Sequence, residues 1–198
     1  MNGKEVSMDA LTAIRTRQSP LRLGEPAPDD TTLRQALSAA VSAPDHGRLR
    51  PWRFLIVRGE ARSELAEVLA QSRSRREPSP TEAELARERE KAFRAPLIVV
   101  AAAHPVVHPK VPEIEQIIAT GAAVQNLLLA VHALGYGAFW RTGEAAYDSA
   151  VKAAFGLAPQ DSIVGLLYIG TPLSAPPPRP EIPLNAVVWH GPEKTVPF

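Results

Sequence analysis

The chain has 198 residues, 45% hydrophobic and 22% charged, enough to bury one sizeable core and short for two. Its 22 Lys and Arg nearly cancel 21 Asp and Glu, so the formal charge of +1 lacks the basic excess of a nucleic-acid-binding domain. With no cysteine, disulfides, thiolate nucleophiles and Cys-ligated zinc or iron–sulfur centres are excluded.

Met1 to Val6 is polar, with no signal-peptide hydrophobic stretch. The longest clearly apolar run, Leu97 to Ala103, is far too short to cross a bilayer, so a soluble, cytoplasmic protein is expected. Met8 to Arg17 reads as a first helix, with Asp9 at its N-terminus, broken at Ser19-Pro20. After the turn Glu25-Pro26-Ala27-Pro28, Asp30 or Thr31 can cap a second helix carrying Leu33, Ala36, Leu37, Ala40 and Val41 and ending before Pro44. Pro51 to Val57 reads as a strand closed by Gly59, and a helix with Leu65, Val68 and Leu69 on one face follows.

Arg73 to Pro80 is charged and carries prolines, which predicts a mobile loop. Glu82 to Phe93 reads as a charged helix with a solvated face, supported by pairs such as Glu84–Arg87 and Glu90–Arg94. Pro96 to Ala101 is a buried strand. Glu113 to Leu134 is the longest helix, apolar on most sides, and therefore central to the domain or to an oligomer interface. Gly135-Tyr136-Gly137 stops it as a C-cap and tight turn. Ala138-Phe139-Trp140 starts another strand, Ser149 to Phe155 forms a short helix, and Ser162 to Gly170 is an apolar strand. Beyond Thr171-Pro172 the prolines crowd together, at Pro172, Pro176, Pro177, Pro178, Pro180 and Pro183, which predicts an extended arm. The pattern is that of an α+β domain.

The usual nucleotide signatures are missing, with no P-loop and no GxGxxG after a strand. His104 and His108 stand four apart, but Pro105 denies them a shared helical face, so no metal site is expected. His132, inside the apolar helix, reads as a packing residue. No GxSxG elbow supports a serine triad. Three stretches are harder to explain by packing: Arg17-Gln18-Ser19 with Arg22, Ala43 to Trp52, and Trp140-Arg141-Thr142-Gly143. Arg beside Ser or Thr is what a phosphate monoester requires, charge plus short hydroxyl donors.

These stretches, in this order, resemble the nitroreductase family, in particular its small YdjA-like branch of NAD(P)H nitroreductases. The likeness runs over nearly the whole chain. It takes in Arg17-Gln18-Ser19, Arg22 to Pro28, Ala43-Pro44-Asp45-His46, Pro51-Trp52-Arg53-Phe54 and Phe93-Arg94-Ala95-Pro96-Leu97-Ile98. It continues through Lys110-Val111-Pro112, Gly135-Tyr136-Gly137, Trp140 to Gly143 and Gly165 to Pro172.

The resemblance implies a nitroreductase-like α+β fold, with a central mixed or antiparallel sheet flanked by helices, in one domain over residues 1–198. It also implies an intertwined homodimer with FMN at the subunit interface, and an arm from about residue 172 packing on the partner. Carried residue by residue, the flavin contacts, chiefly to its phosphate and ribityl chain, are Arg17, Gln18, Ser19, Trp140, Arg141 and Thr142, with His46 supplied by the second subunit. The implied activity is NAD(P)H-dependent reduction of nitro compounds or similar small oxidants in a ping-pong cycle, with the redox chemistry carried by FMN and no catalytic side chain.

The chain departs from the wider family's pattern at two places. Arg48-Leu49-Arg50 stands where that family usually has Asn-x-Gln, and Leu21 stands where it often has Lys. Arg50, then Arg22, are the candidate cations for the flavin ring. Flavin reduction, enone reduction and dehalogenation are alternatives within the superfamily. A non-catalytic flavin-binding protein is a further one, with Arg48 and Arg50 obstructing the ring face.

Overall fold

The computed structural model describes residues 8–176 and 180, together with the backbone of Val187–Trp189 and Thr195–Pro197. The central sheet is organised by β5 (Ser162–Pro172), the longest strand. It pairs with β3 (Leu97–Ala103), placing Leu97 opposite Ile169, and with β4 (Gly137–Arg141), placing Arg141 opposite Leu166. The short β1 (Leu23–Gly24) pairs with the last residues of β5, and β2 (Trp52–Arg58) pairs with β3, setting Trp52 opposite Ala103. Every pairing is antiparallel, which decides between the mixed and antiparallel sheets that the resemblance left open.

All seven residues of β3 are buried because both faces of the sheet are covered. Side chains alternate between the faces along a strand. Ile98 and Val100 meet Leu65 and Leu69 of α3 (Ala61–Arg76) and Leu166 and Tyr168 of β5. Leu97, Val99 and Ala101 turn to the other face, where α2 (Asp30–Ala40) supplies Leu33 and Ala36 and α5 (Glu113–Ala133) supplies Val124, Leu127 and Val131. The result is a sheet between two helical layers.

Local signals place the helices. Asp9 caps α1 (Ala10–Thr16) and Asp29 caps α2, each carboxylate accepting from backbone N–H groups of the first turn. Helix α5 ends at Gly135, whose φ of 87° lies in the left-handed region. The Tyr136 and Gly135 N–H groups donate back to the Val131 and His132 carbonyls, which terminates the helix as expected. By length and composition α5 could cross a membrane, but Ala119, Ala123, Val124, Leu127 and Val131 pack into the core of the domain.

Two expectations are corrected. Arg73 to Arg76 is not a loop, since α3 continues to Arg76. Its arginines find carboxylates from later in the chain: Arg73 on Glu84, Arg75 on Asp148 and Arg76 on Glu144. The charged helix α4 (Glu82–Glu90) ends earlier than expected and passes into a 3-10 turn at Lys91–Phe93. Glu84–Arg87 and Glu90–Arg94 are not among its ion pairs. Instead Arg89 reaches Glu67 of α3 at 2.8 Å, and Glu88 is buried against Lys91. The short helix near residue 150 is α6 (Ser149–Ala154).

The expected arm lies largely outside the described residues. Within it, Val187–Trp189 (β6) and Thr195–Pro197 (β7) pair as a separate two-stranded antiparallel sheet.

Candidate functional site

Arg17 caps the end of α1, which lies against the C-terminal end of α5 through a 2.8 Å hydrogen bond between Thr16 Oγ1 and His132 Nε2. His132 is therefore a satisfied packing residue, as expected. Burial lowers its pKa from 6.5, and the Arg17 guanidinium acts in the same direction. Arg17 Nη1 comes within 3.5 Å of Ser19 Oγ, so a guanidinium and a hydroxyl share one corner, with Gln18 between them in sequence.

Immediately after Ser19, the chain seats on the first residue of β4. A Cβ at Gly137 would fall 2.6 Å from Pro20 Cγ and 2.8 Å from Leu23 Cδ2, so only glycine allows this approach. The corner thus stands at the start of β4.

Trp140, Arg141 and Thr142 stand at the other end of the same strand, roughly 13 Å away at the usual rise per residue. Trp140 donates its indole N–H to the Val164 carbonyl at 3.0 Å and packs the Nε1 and Cδ1 atoms of its ring against Gly165. Arg141 points to the opposite face of the sheet, where its guanidinium sits 4.3 Å from the centre of the Phe139 ring.

Beneath Arg141 opens a cavity of about 450 Å³ lined by Trp140, Arg141, Thr142 and Gly143, and also by Arg76, Glu88, Lys91, Arg94, Glu144 and Tyr168. The last six were not singled out by sequence reasoning. They come from α3, α4, the turn after it, the residues after β4 and β5, and no local spacing links them. Of these six, Arg94 and Tyr168 stood in stretches quoted for the resemblance, Phe93 to Ile98 and Gly165 to Pro172, which is the signal that pointed near the cavity.

His46 and Arg50 lie elsewhere. They belong to a 3-10 turn (His46–Arg48) and the loop entering β2, on the far side of β3 and β5 from β4. His46 Nδ1 is 2.6 Å from Glu115 Oε2 at the N-terminal end of α5. Arg48 and Arg50 have φ of 55° and 50°, an unfavourable left-handed backbone for arginine. The Asp45 carboxylate accepts from the Arg50 N–H at 2.6 Å and holds this turn. Arg22 stands at β1, its carbonyl accepting from the Leu173 N–H.

His46 and the Arg17 corner are thus fastened to opposite ends of one helix. Glu115 and His132 are separated by about 26 Å at the helical rise. One chain brings Arg17, Ser19, Trp140, Arg141 and Thr142 along a single strand, and leaves His46 and Arg50 apart from them. Among the described residues, no group of His, Asp or Glu is arranged to hold a metal.

An all-antiparallel sheet between helical layers, with a guanidinium–hydroxyl corner and a Trp-Arg-Thr turn at the two ends of one strand, places this chain in a fold class of known membership. The nitroreductase family model matches residues 14–171, and the chain belongs to that family. It is similar to an Escherichia coli K12 protein named "Putative NAD(P)H nitroreductase YdjA", with 38% identity over 180 residues, covering 87% of this chain and 97% of that one. Among solved structures it resembles a nitroreductase-like family protein from Bacillus cereus (TM-score 0.80, 24% identity, 96% of this chain and all of that one). It also resembles a Desulfovibrio desulfuricans protein described as a "putative nitroreductase in complex with FMN" (TM-score 0.64, 28% identity, 91% and 94% covered). The fold is therefore nitroreductase-like, as the sequence motifs led one to expect.

Proposed function

We propose that the protein is an FMN-dependent oxidoreductase that takes electrons from NAD(P)H and passes them to nitro compounds or similar small oxidised substrates. In this reading it works as a cytoplasmic homodimer in a ping-pong cycle. The observation that carries the proposal is the division of the site residues between the two ends of α5. In one chain, His46 is too far from the Arg17 corner for both to touch one flavin. A twofold axis across α5 lays two such helices antiparallel and brings His46 and Arg50 of the partner subunit to the Arg17 end.

The exposed surface supports that arrangement. Ile114 and Ile118, one turn apart on α5, are 59% and 63% exposed, and Leu11 on the adjoining α1 is 62% exposed. Large apolar side chains left exposed on the longest helix and on the helix beside it suit an interface, and a second copy buries them while completing both sites.

The donor set fits FMN. Arg17 and Ser19 supply a charged donor and a hydroxyl for the phosphate, and Gln18 adds a polar contact for the ribityl chain. Trp140, Arg141 and Thr142, which the resemblance put chiefly at the phosphate and ribityl chain, stand a strand's length from that corner and in this reading border the ring instead. When bound, FMN supplies the two-electron redox chemistry between NAD(P)H and the oxidant. The chain's residues bind and orient. Trp140 is fixed by its bond to Val164 and forms a rigid wall. Arg50 of the partner subunit provides positive charge beside the ring, a role for which Arg22 is less well placed because it stands near the phosphate corner.

The visible spectrum of the purified protein tests the proposal. The expected result is flavin absorbance that NADPH bleaches under anaerobic conditions. A colourless protein that FMN fails to reconstitute refutes it, and bound FMN that NADPH and NADH leave oxidised identifies a non-catalytic flavin-binding protein. A panel of nitro, enone, halogenated and free-flavin acceptors then assigns the oxidant.

A further inference from the structure

The cavity beneath Arg141 holds more positive charge than its own carboxylates neutralise. Of its four cations, Lys91 is held by both oxygens of Glu88, at 2.5 and 2.6 Å, and Arg76 is paired with Glu144. Arg94 and Arg141 have no carboxylate partner among the described residues. Both lie close enough to Tyr168 for their charge to be felt at its hydroxyl.

Tyr168 provides an independent pointer to a ligand. The residue is only 4% exposed, it lines the cavity, and its hydroxyl has no hydrogen-bond partner among the described residues. Burial pushes the phenol above its ordinary pKa against the pull of the two arginines, so it is a donor at neutral pH. Arg76, which lines the same cavity, has its Nε buried with no acceptor. Buried donors are nearly always satisfied in folded proteins. An unpartnered phenol and one buried, unpaired guanidinium N–H around one opening, with two surplus charges, describe a place where an oxyanion binds.

We propose that this cavity is an anion subsite beside the flavin, which selects oxidants carrying a carboxylate or phosphate near the reducible group. The proposal rests on the functional reading above. Tyr168 stands opposite Phe139, Arg141 is two residues further along the same face of β4, and Arg94 enters from the turn before β3. Two guanidiniums and a phenol therefore converge on one anion. The flavin phosphate is assigned to the Arg17–Ser19 corner, roughly 13 Å away along β4. The cavity instead adjoins Trp140 and Thr142, which border the ring, and its volume suits a small aromatic acid.

The test uses the flavin-loaded protein and two variants, Arg94→Gln and Tyr168→Phe, both of which preserve packing. Calorimetric titration of the oxidised holoprotein with benzoate measures the subsite without turnover. The ratio of kcat/KM for 4-nitrobenzoate to that for 4-nitrobenzyl alcohol measures it during reduction. Loss of a charge-assisted hydrogen bond should weaken benzoate binding by about tenfold or more in Arg94→Gln and lower the ratio by a similar factor. Tyr168→Phe should lower both more modestly, with FMN content unchanged in the two variants.

Benzoate binding that neither variant alters overturns the proposal. So does loss of FMN from Arg94→Gln, which would give the cavity to the flavin phosphate. A rise in KM for NADPH but not NADH also overturns it, by assigning the cavity to the donor's phosphate. A colourless protein sinks the functional reading and the subsite together, whereas a yellow protein indifferent to benzoate sinks the subsite alone.

Discussion

Gly165→Ala is a small change with a large expected effect. A Cβ at this position would lie 2.1 Å from Trp140 Nε1 and 2.5 Å from Cδ1. The indole is rigid, so it must retreat by about 1.3 Å to recover ordinary van der Waals contact. That movement breaks its hydrogen bond to the Val164 carbonyl, a loss of about 0.5–1.5 kcal/mol. Strain from the added methyl contributes about 1–3 kcal/mol more.

The expected destabilisation is therefore about 1.5–4.5 kcal/mol, a fall in Tm of roughly 3–18 °C for a chain of this size. Because Arg141 and Thr142 follow Trp140 on the strand, FMN affinity should fall as well. Differential scanning fluorimetry and the recovery of free-FMN fluorescence on dilution measure the two effects. The same substitution in a Trp140→Leu background removes the clash, and the double-mutant cycle isolates it. If Gly165→Ala costs as much without the indole as with it, Trp140 does not occupy this seat and the reasoning fails.

Arg17→Ala and Ser19→Ala should each weaken FMN retention, with the arginine the larger loss, by about tenfold or more; unchanged affinity in both would remove the corner from the phosphate site. Ile118→Lys should convert a dimer to a monomer on size-exclusion chromatography and release FMN with it, and a monomeric variant that stays yellow would refute the shared site. His132 has a pKa lowered by burial, so the unfolded chain binds its proton more readily than the folded one. Its contribution to stability is full above about pH 6.5 and is lost as pH falls below that value toward the lower folded pKa. Denaturation midpoints between pH 7.5 and 5.5 should fall less steeply in His132→Gln than in the parent; parallel slopes would contradict this.

The sequence made legible what local rules govern. Pro96 to Ala101 reads as a buried strand because an unbroken apolar run admits little else, and the structure carries it on to Ala103; Gly135 reads as a helix stop because the left-handed position favours it. The Arg73–Arg76 turn of α3 was illegible for the opposite reason. Its charges look like those of a loop until Glu84, Glu144 and Asp148 arrive from elsewhere in the chain. Leu23–Gly24 is a strand only because the end of β5 offers it an edge.

The candidate site divides along the same line. Arg17-Gln18-Ser19 and Trp140-Arg141-Thr142 are contiguous triplets and could be recognised as such. Arg94 and Tyr168 meet only after β3 and β5 are laid side by side. His46 was a candidate from the resemblance alone, and its attachment to Glu115, and so its distance from Arg17, required the whole length of α5.

On the proposed dimer, that attachment makes catalytic capacity a function of protein concentration. Each α5 carries the entrance of one site at its first turn and the foundation of the other at its last. Subunit dissociation therefore splits both sites at once and leaves no partly competent protomer. Specific activity should hold constant while the enzyme is concentrated, then decline together with flavin occupancy once dilution passes the dimer Kd.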